Sequence, residues 1–213
     1  MVGSPGVGTL EFNISLVKTY LEEGQTVIFA TADMHSESIL DIMERFGIDV
    51  NERLGRTLYI IDYHSSLLGS FDDDDRHKAG IQYVVDLEGI MFNIDSIASE
   101  TGTPVRIFLH SLSTLFLYNQ PNVVLKFFQI SSSKISSDYG AIIFTLHEGV
   151  HADTTVNHLM AIANGVIEMR FDADMKRRMR IRHMCGCVTS SQWIPFEIKQ
   201  IQGNDNPPLL EWK

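Results

Sequence analysis

Cysteine is scarce in this chain of 213 residues, and the two that occur, Cys185 and Cys187, are separated by a single residue. They are too close for an unstrained disulfide and too few for a structural zinc site on their own. A reducing compartment fits, and the cytoplasm is the expected location. Basic charge is also short: 17 Lys and Arg stand against 27 Asp and Glu, for a net charge of -10. That balance works against non-specific attraction to nucleic acid, which rests on clustered cations. No apolar run reaches the roughly 18 residues of a membrane span, and no charged segment followed by an apolar one opens the chain. No membrane partner is expected. Internal repeats and low-complexity linkers are missing too, so residues 1–213 read as a single domain with one large core.

What is present is an ordinary globular composition, 44% hydrophobic and 21% charged. Apolar spacing from Leu10 to Leu21 predicts a helix closed by Gly24. Thr26 to Ala32 reads as a buried strand, and "SESILDIMERFGIDV" as a helix capped by Ser36 or Ser38 and stopped near Gly47. Thr57 to Tyr63 reads as a second strand. "FDDDDRHKAG" reads as a solvated acidic loop, because adjacent aspartates cannot all face one ion. "IQYVVDLEGIMFNIDSIASETG" predicts a long helix, "VRIFLH" a third strand, "NVVLKFFQISSSKISSDYG" a helix and "AIIFTLHEG" a fourth strand. "GVIEMRFDADMKRRMRIRHMCG" alternates on both sides of a charged turn and predicts a β-hairpin. Continuous apolar strands alternating with helices indicate an α/β domain with a mostly parallel sheet covered on both faces.

The first residues carry the most chemical information. Gly3-Ser4-Pro5-Gly6-Val7-Gly8 has the glycine spacing of a phosphate-cradling loop, GxxxxGK[ST]. Such a loop aims successive backbone N–H groups into one concavity at a helix N-terminus, while its lysine reaches the phosphates and its hydroxyl completes the Mg²⁺ shell. Thr9 stands where the lysine belongs and Leu10 where the hydroxyl belongs. Glu11 adds negative charge to the first helical turn, which suits an empty helix N-terminus and repels a triphosphate.

Taken together, "GSPGVG", "MERFGIDV", "LYIIDYHS", "HSLSTLFLYNQPNVVLKFF", "GAIIFTLHEGVHADTTVNHLMAIANGVIEMR" and "WIPFEI" resemble the RecA-type ATPase domain of the KaiC-like family, of the type common in archaea. The resemblance covers nearly the whole chain and implies a RecA-like P-loop NTPase fold. It also implies a strand of about six residues before the glycine loop; here Met1 is almost inside that loop, so the first strand is expected to be missing and the natural protein to be longer at its N-terminus. A missing central strand would leave buried backbone groups unpaired.

Set against that family, the chain departs at four places. Thr9 and Leu10 replace the lysine and the hydroxyl, and His110 in "RIFLHSLS" replaces the metal-site aspartate. Asp33 falls at the general-base glutamate, one methylene shorter, with Met34 beside it. In "RHMCG", His183 and Cys185 replace the lysine and arginine that reach the neighbouring subunit's phosphate. The resemblance therefore implies a catalytically degenerate, regulatory or scaffolding protein rather than an active enzyme, with no metal site expected and ATP and Mg²⁺ as cofactors only if the loop still binds. Its expected partners are proteins: copies of itself in a ring, or an active KaiC-like relative in signal transduction. The alternatives are a weak ATP-binding protein and a DNA recombination-accessory paralogue.

Two short patterns compete with this reading. "HEGVH", His147 to His151, matches the zinc-protease signature, but that chemistry needs both histidines on one helix face, and here a strand precedes the motif and Gly149 interrupts it. "CGC" with His183 suggests a soft-metal site, against the simpler reading of a strand end. Finally, Lys176, Arg177, Arg178, Arg180 and Arg182 crowd one hairpin, with Arg178, Arg180 and Arg182 on one face. The readings open there are a solvated hairpin, an acidic protein partner or nucleic acid.

Overall fold

The computed structural model describes residues 1–69, 79–102, 104–198 and 210–212. Helix α1 (Thr9–Glu22) follows the glycine loop and buries Phe12, Ile14, Val17 and Leu21. Gly24, in the left-handed region at φ 76°, turns the chain into strand β2 (Thr26–Thr31). Helix α2 (Ser36–Arg45) is preceded by His35 rather than capped by Ser36 or Ser38. The Ser36 N–H instead donates to the buried carboxylate of Asp62, so a neighbouring strand supplies the cap. A short helix α3 (Val50–Arg53) leads to β3 (Leu58–Asp62) and α4 (His64–Leu68). The expected acidic loop lies largely outside the described residues.

The helix expected from Ile81 onward begins only at Leu87. Ile81–Tyr83 forms strand β4 beside β3, and Asp86 accepts from the Gly89 N–H to start α5 (Leu87–Thr101). The segment Ile81 to Leu87, with Gln82 and Asp86 among apolar residues, suits either structure by period alone, and pairing with β3 decides it. Strand β5 (Val105–His110), helices α6 (Leu112–Tyr118) and α7 (Pro121–Asp138), and strands β6 (Gly140–Phe144) and β7 (Leu146–His147) follow. After α8 (Asp153–Ile162), β8 (Gly165–Phe171) and β9 (Arg177–Met184) form the expected antiparallel hairpin. Strand β10 (Ile194–Ile198) pairs with β9, and β11 (Leu210–Trp212) with β10.

The strands make a parallel sheet ordered β4-β3-β2-β5-β6 and a second sheet ordered β11-β10-β9-β8-β1-β7, in which β1 is Val2–Gly3. Thr145 alone separates β6 from β7, and its N–H still donates to Leu109, so one stretch of chain belongs to both sheets and ties them together. Strand β1 (Val2–Gly3) corrects the expectation of a missing first strand: it is two residues long, yet parallel partners β7 and β8 flank it on both sides. Alongside Met1, the space between β6 and β8 continues as a cavity of about 400 Å³ lined by Tyr20, Phe128, Ile142, Ile167 and Met184. One apolar layer, including Ile14, Phe29, Met43 and Phe108, packs α1 and α2 on one face, and a larger one, including Ile94, Leu109, Leu115 and Phe128, packs α5 to α7 on the other. No described helix is long and apolar enough to cross a membrane.

Candidate functional site at the carboxyl ends of the parallel strands

In an open parallel sheet, side chains and loops from neighbouring strands converge where the strands end, and ligands bind there. Four neighbouring ends meet in this chain: β2 leads to Asp33, β5 ends at His110, β7 ends at His147, and β1 leads into the loop Gly3 to Gly8. The register pairs Thr31 with His110, placing Asp33 just beyond the paired segment.

The loop keeps its backbone geometry. Gly6 at φ 75° and Gly8 at φ 104° occupy left-handed conformations that side-chain-bearing residues rarely adopt. Ser4 and Val7 tie the turn through Ser4 N–H to Met169 and Val7 N–H to Ser4, and Pro5 and Gly6 are exposed. Its side chains are another matter. Thr9 is buried, and its γ-methyl packs so tightly against Gly3 that a Cβ on that glycine would lie 2.3 Å from it. Leu10 packs into the apolar layer beneath α2. Ser4 donates its hydroxyl proton to Glu148, bringing a second carboxylate to the loop beside Glu11. Arg177 reaches over from the hairpin and donates to the Val7 carbonyl at 3.1 Å.

Beside the loop, Asp33 is held by a fixed set of donors. Its carboxylate accepts from the Ser111 N–H, the Ser111 hydroxyl and the Thr114 hydroxyl at the start of α6. One carboxylate oxygen also faces two imidazoles: His147 Nε2 at 3.4 Å and His110 Nε2 at 3.6 Å. Burial alone would raise the Asp33 carboxyl, but His147, Thr114, His110 and Ser111 together hold it well below the usual carboxylate range. Burial lowers the His110 imidazole to about 4, the nearby Asp33 charge offsetting only part of the effect. His110 is 4% exposed, and its Nδ1 has no hydrogen-bond partner among the described residues. His151 stands close by, but its Nε2 lies 2.9 Å from the Ser113 hydroxyl, which also accepts from the His147 N–H.

Mg²⁺ requires near-octahedral oxygen ligation. The groups standing where the resemblance places its Mg²⁺ shell, a leucine and a buried imidazole, do not fit that ion. The sequence reading brought Asp33 and His110 to one site but missed His147, Ser111 and Thr114. The signal for His147 lies in "HEGVH". The segment lacks the helix a protease site requires: β7 ends at His147, Gly149 turns at φ 79° and α8 starts only at Asp153. His147 belongs to a different constellation.

The remaining predicted site residues lie elsewhere. His183 Nε2 sits 3.2 Å from the Ala163 carbonyl, and Cys185 and Cys187 are exposed at the turn after β9. Among the described residues, Asp33, His110 and His147 are the group with metal-ligand spacing, so "CGC" and His183 do not form one. The hairpin arginines are already engaged: Arg178 pairs with Asp172 at 2.8 Å, and Arg180 and Arg182 both pair with Glu168. Arg170 and Arg180 also place their guanidinium groups over the Trp193 ring, at 4.0 and 4.5 Å from its centre. Burial pushes the Glu168 carboxyl up, and the hydrogen bonds from Arg180 and Arg182 more than reverse this, leaving it lowered. A lowered carboxylate stabilises the fold above its unfolded-state value and loses that contribution as pH falls through the folded one. Glu168→Gln is therefore expected to lower stability by about 1 kcal/mol at neutral pH. Thermal denaturation should show the gap between the two proteins closing as pH falls below about 4.3.

Parallel strands, a glycine loop at the start of α1 and a convergent site at the strand ends define a P-loop-type α/β domain. A family model described as "ATPase: KaiC" matches residues 1–204, and the chain belongs to that family. Among solved structures, it is similar to a KaiC-like protein from hyperthermophilic archaea, Pyrococcus horikoshii OT3, at 18% identity and a TM-score of 0.70, covering 99% of this chain and 87% of that one. It is also similar to an uncharacterized Pyrococcus horikoshii protein solved in complex with an unknown peptide, at 16% identity and a TM-score of 0.74, covering 100% and 90%. No curated protein matches the chain.

Proposed function

We propose that this chain is a KaiC-family domain released from Mg²⁺-dependent ATP hydrolysis, acting by binding protein partners: further copies of itself in a ring, or an active member of the same family. One observation carries the reading. Where the hydrolysis machinery needs a carboxylate to order Mg²⁺, β5 ends in His110, buried and uncharged at neutral pH. The inward-packed Thr9, the apolar Leu10 and the carboxylates of Glu11 and Glu148 at the loop point the same way.

A second reading, weak nucleotide binding without Mg²⁺, is favoured by Arg177, whose guanidinium stands on the loop where the lysine is absent. Titration with a fluorescent ATP analogue, with and without Mg²⁺, separates the two. The expected result is no micromolar binding in either condition; micromolar, Mg²⁺-dependent binding sinks the proposal. Micromolar binding indifferent to Mg²⁺ and lost in Arg177→Ala establishes the second reading instead. Light scattering after size exclusion tests the ring, and a monomer at working concentration counts against it. A DNA-accessory role has little support, because Arg178, Arg180 and Arg182 are neutralised within their own hairpin.

A further inference from the structure

We propose that Asp33, His110 and His147 form a binding site for one divalent transition-metal ion of the zinc type. The inference goes beyond the loss of ATP hydrolysis and does not depend on it. Two imidazoles and one carboxylate are the donor set of sites that hold Zn²⁺ or Fe²⁺ with open positions left over. One ligand atom from each of the three residues, a ring nitrogen of His110, a ring nitrogen of His147 and an Asp33 carboxylate oxygen, lies within 4.8 Å of the other two. Metal–ligand bonds of about 2.0–2.2 Å place the corners of a tetrahedron roughly 3.3–3.6 Å apart. The two carboxylate-to-imidazole separations, 3.4 and 3.6 Å, match that edge within a few tenths of an ångström.

The surroundings support the same conclusion. Metal ligands are held in place by a further layer of hydrogen bonds. Here Ser111 and Thr114 fix the Asp33 carboxylate, whose Oδ2 faces both imidazoles and the Ser111 hydroxyl at 3.0 Å, while the Ser113 hydroxyl anchors the backbone of His147. Access is one-sided: the His110 side chain is 5% exposed, that of Asp33 18% and that of His147 27%. An ion can enter from the His147 side and keep water on its open face. Three protein ligands with an open position are the arrangement of reactive rather than closed structural sites. The placement also explains the histidine at the end of β5: imidazole nitrogen suits a borderline ion where carboxylate oxygen suits Mg²⁺.

The test uses the intact chain, stripped with chelator and free of nucleotide, titrated with Zn²⁺ by calorimetry and with Co²⁺ by visible absorption. One ion per chain with micromolar or tighter affinity is expected, with visible bands from a low-coordinate cobalt site and no competition from millimolar Mg²⁺. His147→Ala, at the exposed edge of the site, should weaken binding by more than about 100-fold, and Thr114→Val, which removes one of the donors that hold the Asp33 carboxylate, by about 10-fold. A doubly substituted C185S/C187S protein should bind as wild type. Circular dichroism confirms that each variant is folded. Zn²⁺ affinity unchanged in His147→Ala, binding abolished by the cysteine substitutions, or no binding below millimolar Zn²⁺ would each overturn the proposal.

Discussion

Phe108→Ala is expected to lower the unfolding free energy by about 3–5 kcal/mol, the cost of emptying a buried aromatic site that cannot collapse around the cavity. Phe108 lies in the middle of β5, fully buried, paired in register with Phe29 of β2 and Ile143 of β6. Its ring stacks on that of Phe29 with centres 6.1 Å apart and approaches Tyr20 of α1 at 6.3 Å. The side chain thus joins helix and sheet at an interior strand, β5, flanked by β2 and β6. A loss of this size is a large share of the 5–15 kcal/mol that holds a domain of ordinary stability. Urea denaturation should show a lower midpoint with an unchanged slope. Phe108→Leu should cost less than about 1.5 kcal/mol, since volume is nearly conserved. A cost below about 1 kcal/mol for the alanine variant would show that this face is not the core.

The second large effect is expected at Asp62, through hydrogen bonding rather than packing. Asp62 ends β3, is fully buried, and accepts three hydrogen bonds: from the Ser36 N–H at 2.8 Å, the Ser65 N–H at 2.8 Å and the Ser65 hydroxyl at 2.7 Å. It thereby satisfies backbone donors at the first turns of two helices, α2 and α4. Asp62→Ala removes both acceptor oxygens and leaves two backbone N–H groups buried without partners, at about 1–3 kcal/mol each. The expected total is about 3 kcal/mol or more, read from the same urea transitions. Asp62→Asn keeps one oxygen and should recover part of the loss. Equal stability of the aspartate and alanine proteins would contradict the account.

These two positions differ in how legible they are from sequence. Phe108 sits in "VRIFLH", whose continuous apolar character predicts a buried strand. Asp62 ends "LYIID" and looks like any strand-end carboxylate, because its partners Ser36 and Ser65 come from separate helices brought together by packing. The same contrast runs through the fold. Periodicity and terminal glycines predict α1, β2, β5, α7 and the β8–β9 hairpin close to where they form, because those signals act within a few residues. Ile81–Tyr83 breaks that pattern, since pairing with β3 overrides a run that equally suits a helix. The hairpin's positive charge is legible, but its neutralisation is not: Glu168 and Asp172 become partners of the arginines only when β8 and β9 pair in register.

By itself, the sequence determined the α/β class, the order of most elements, the glycine loop without its lysine and hydroxyl, and the histidine at the end of β5. Each of these is written in adjacent residues or in a fixed short spacing. Only the tertiary structure decided that Asp33 meets His147, 114 residues away, and that both face His110. The reason is that the order and register of parallel strands, set by how the helices cross over and pack, choose which strand ends become neighbours. Local pattern can place each residue at the end of its own strand, but only the assembled sheet brings three such ends within the reach of one ion.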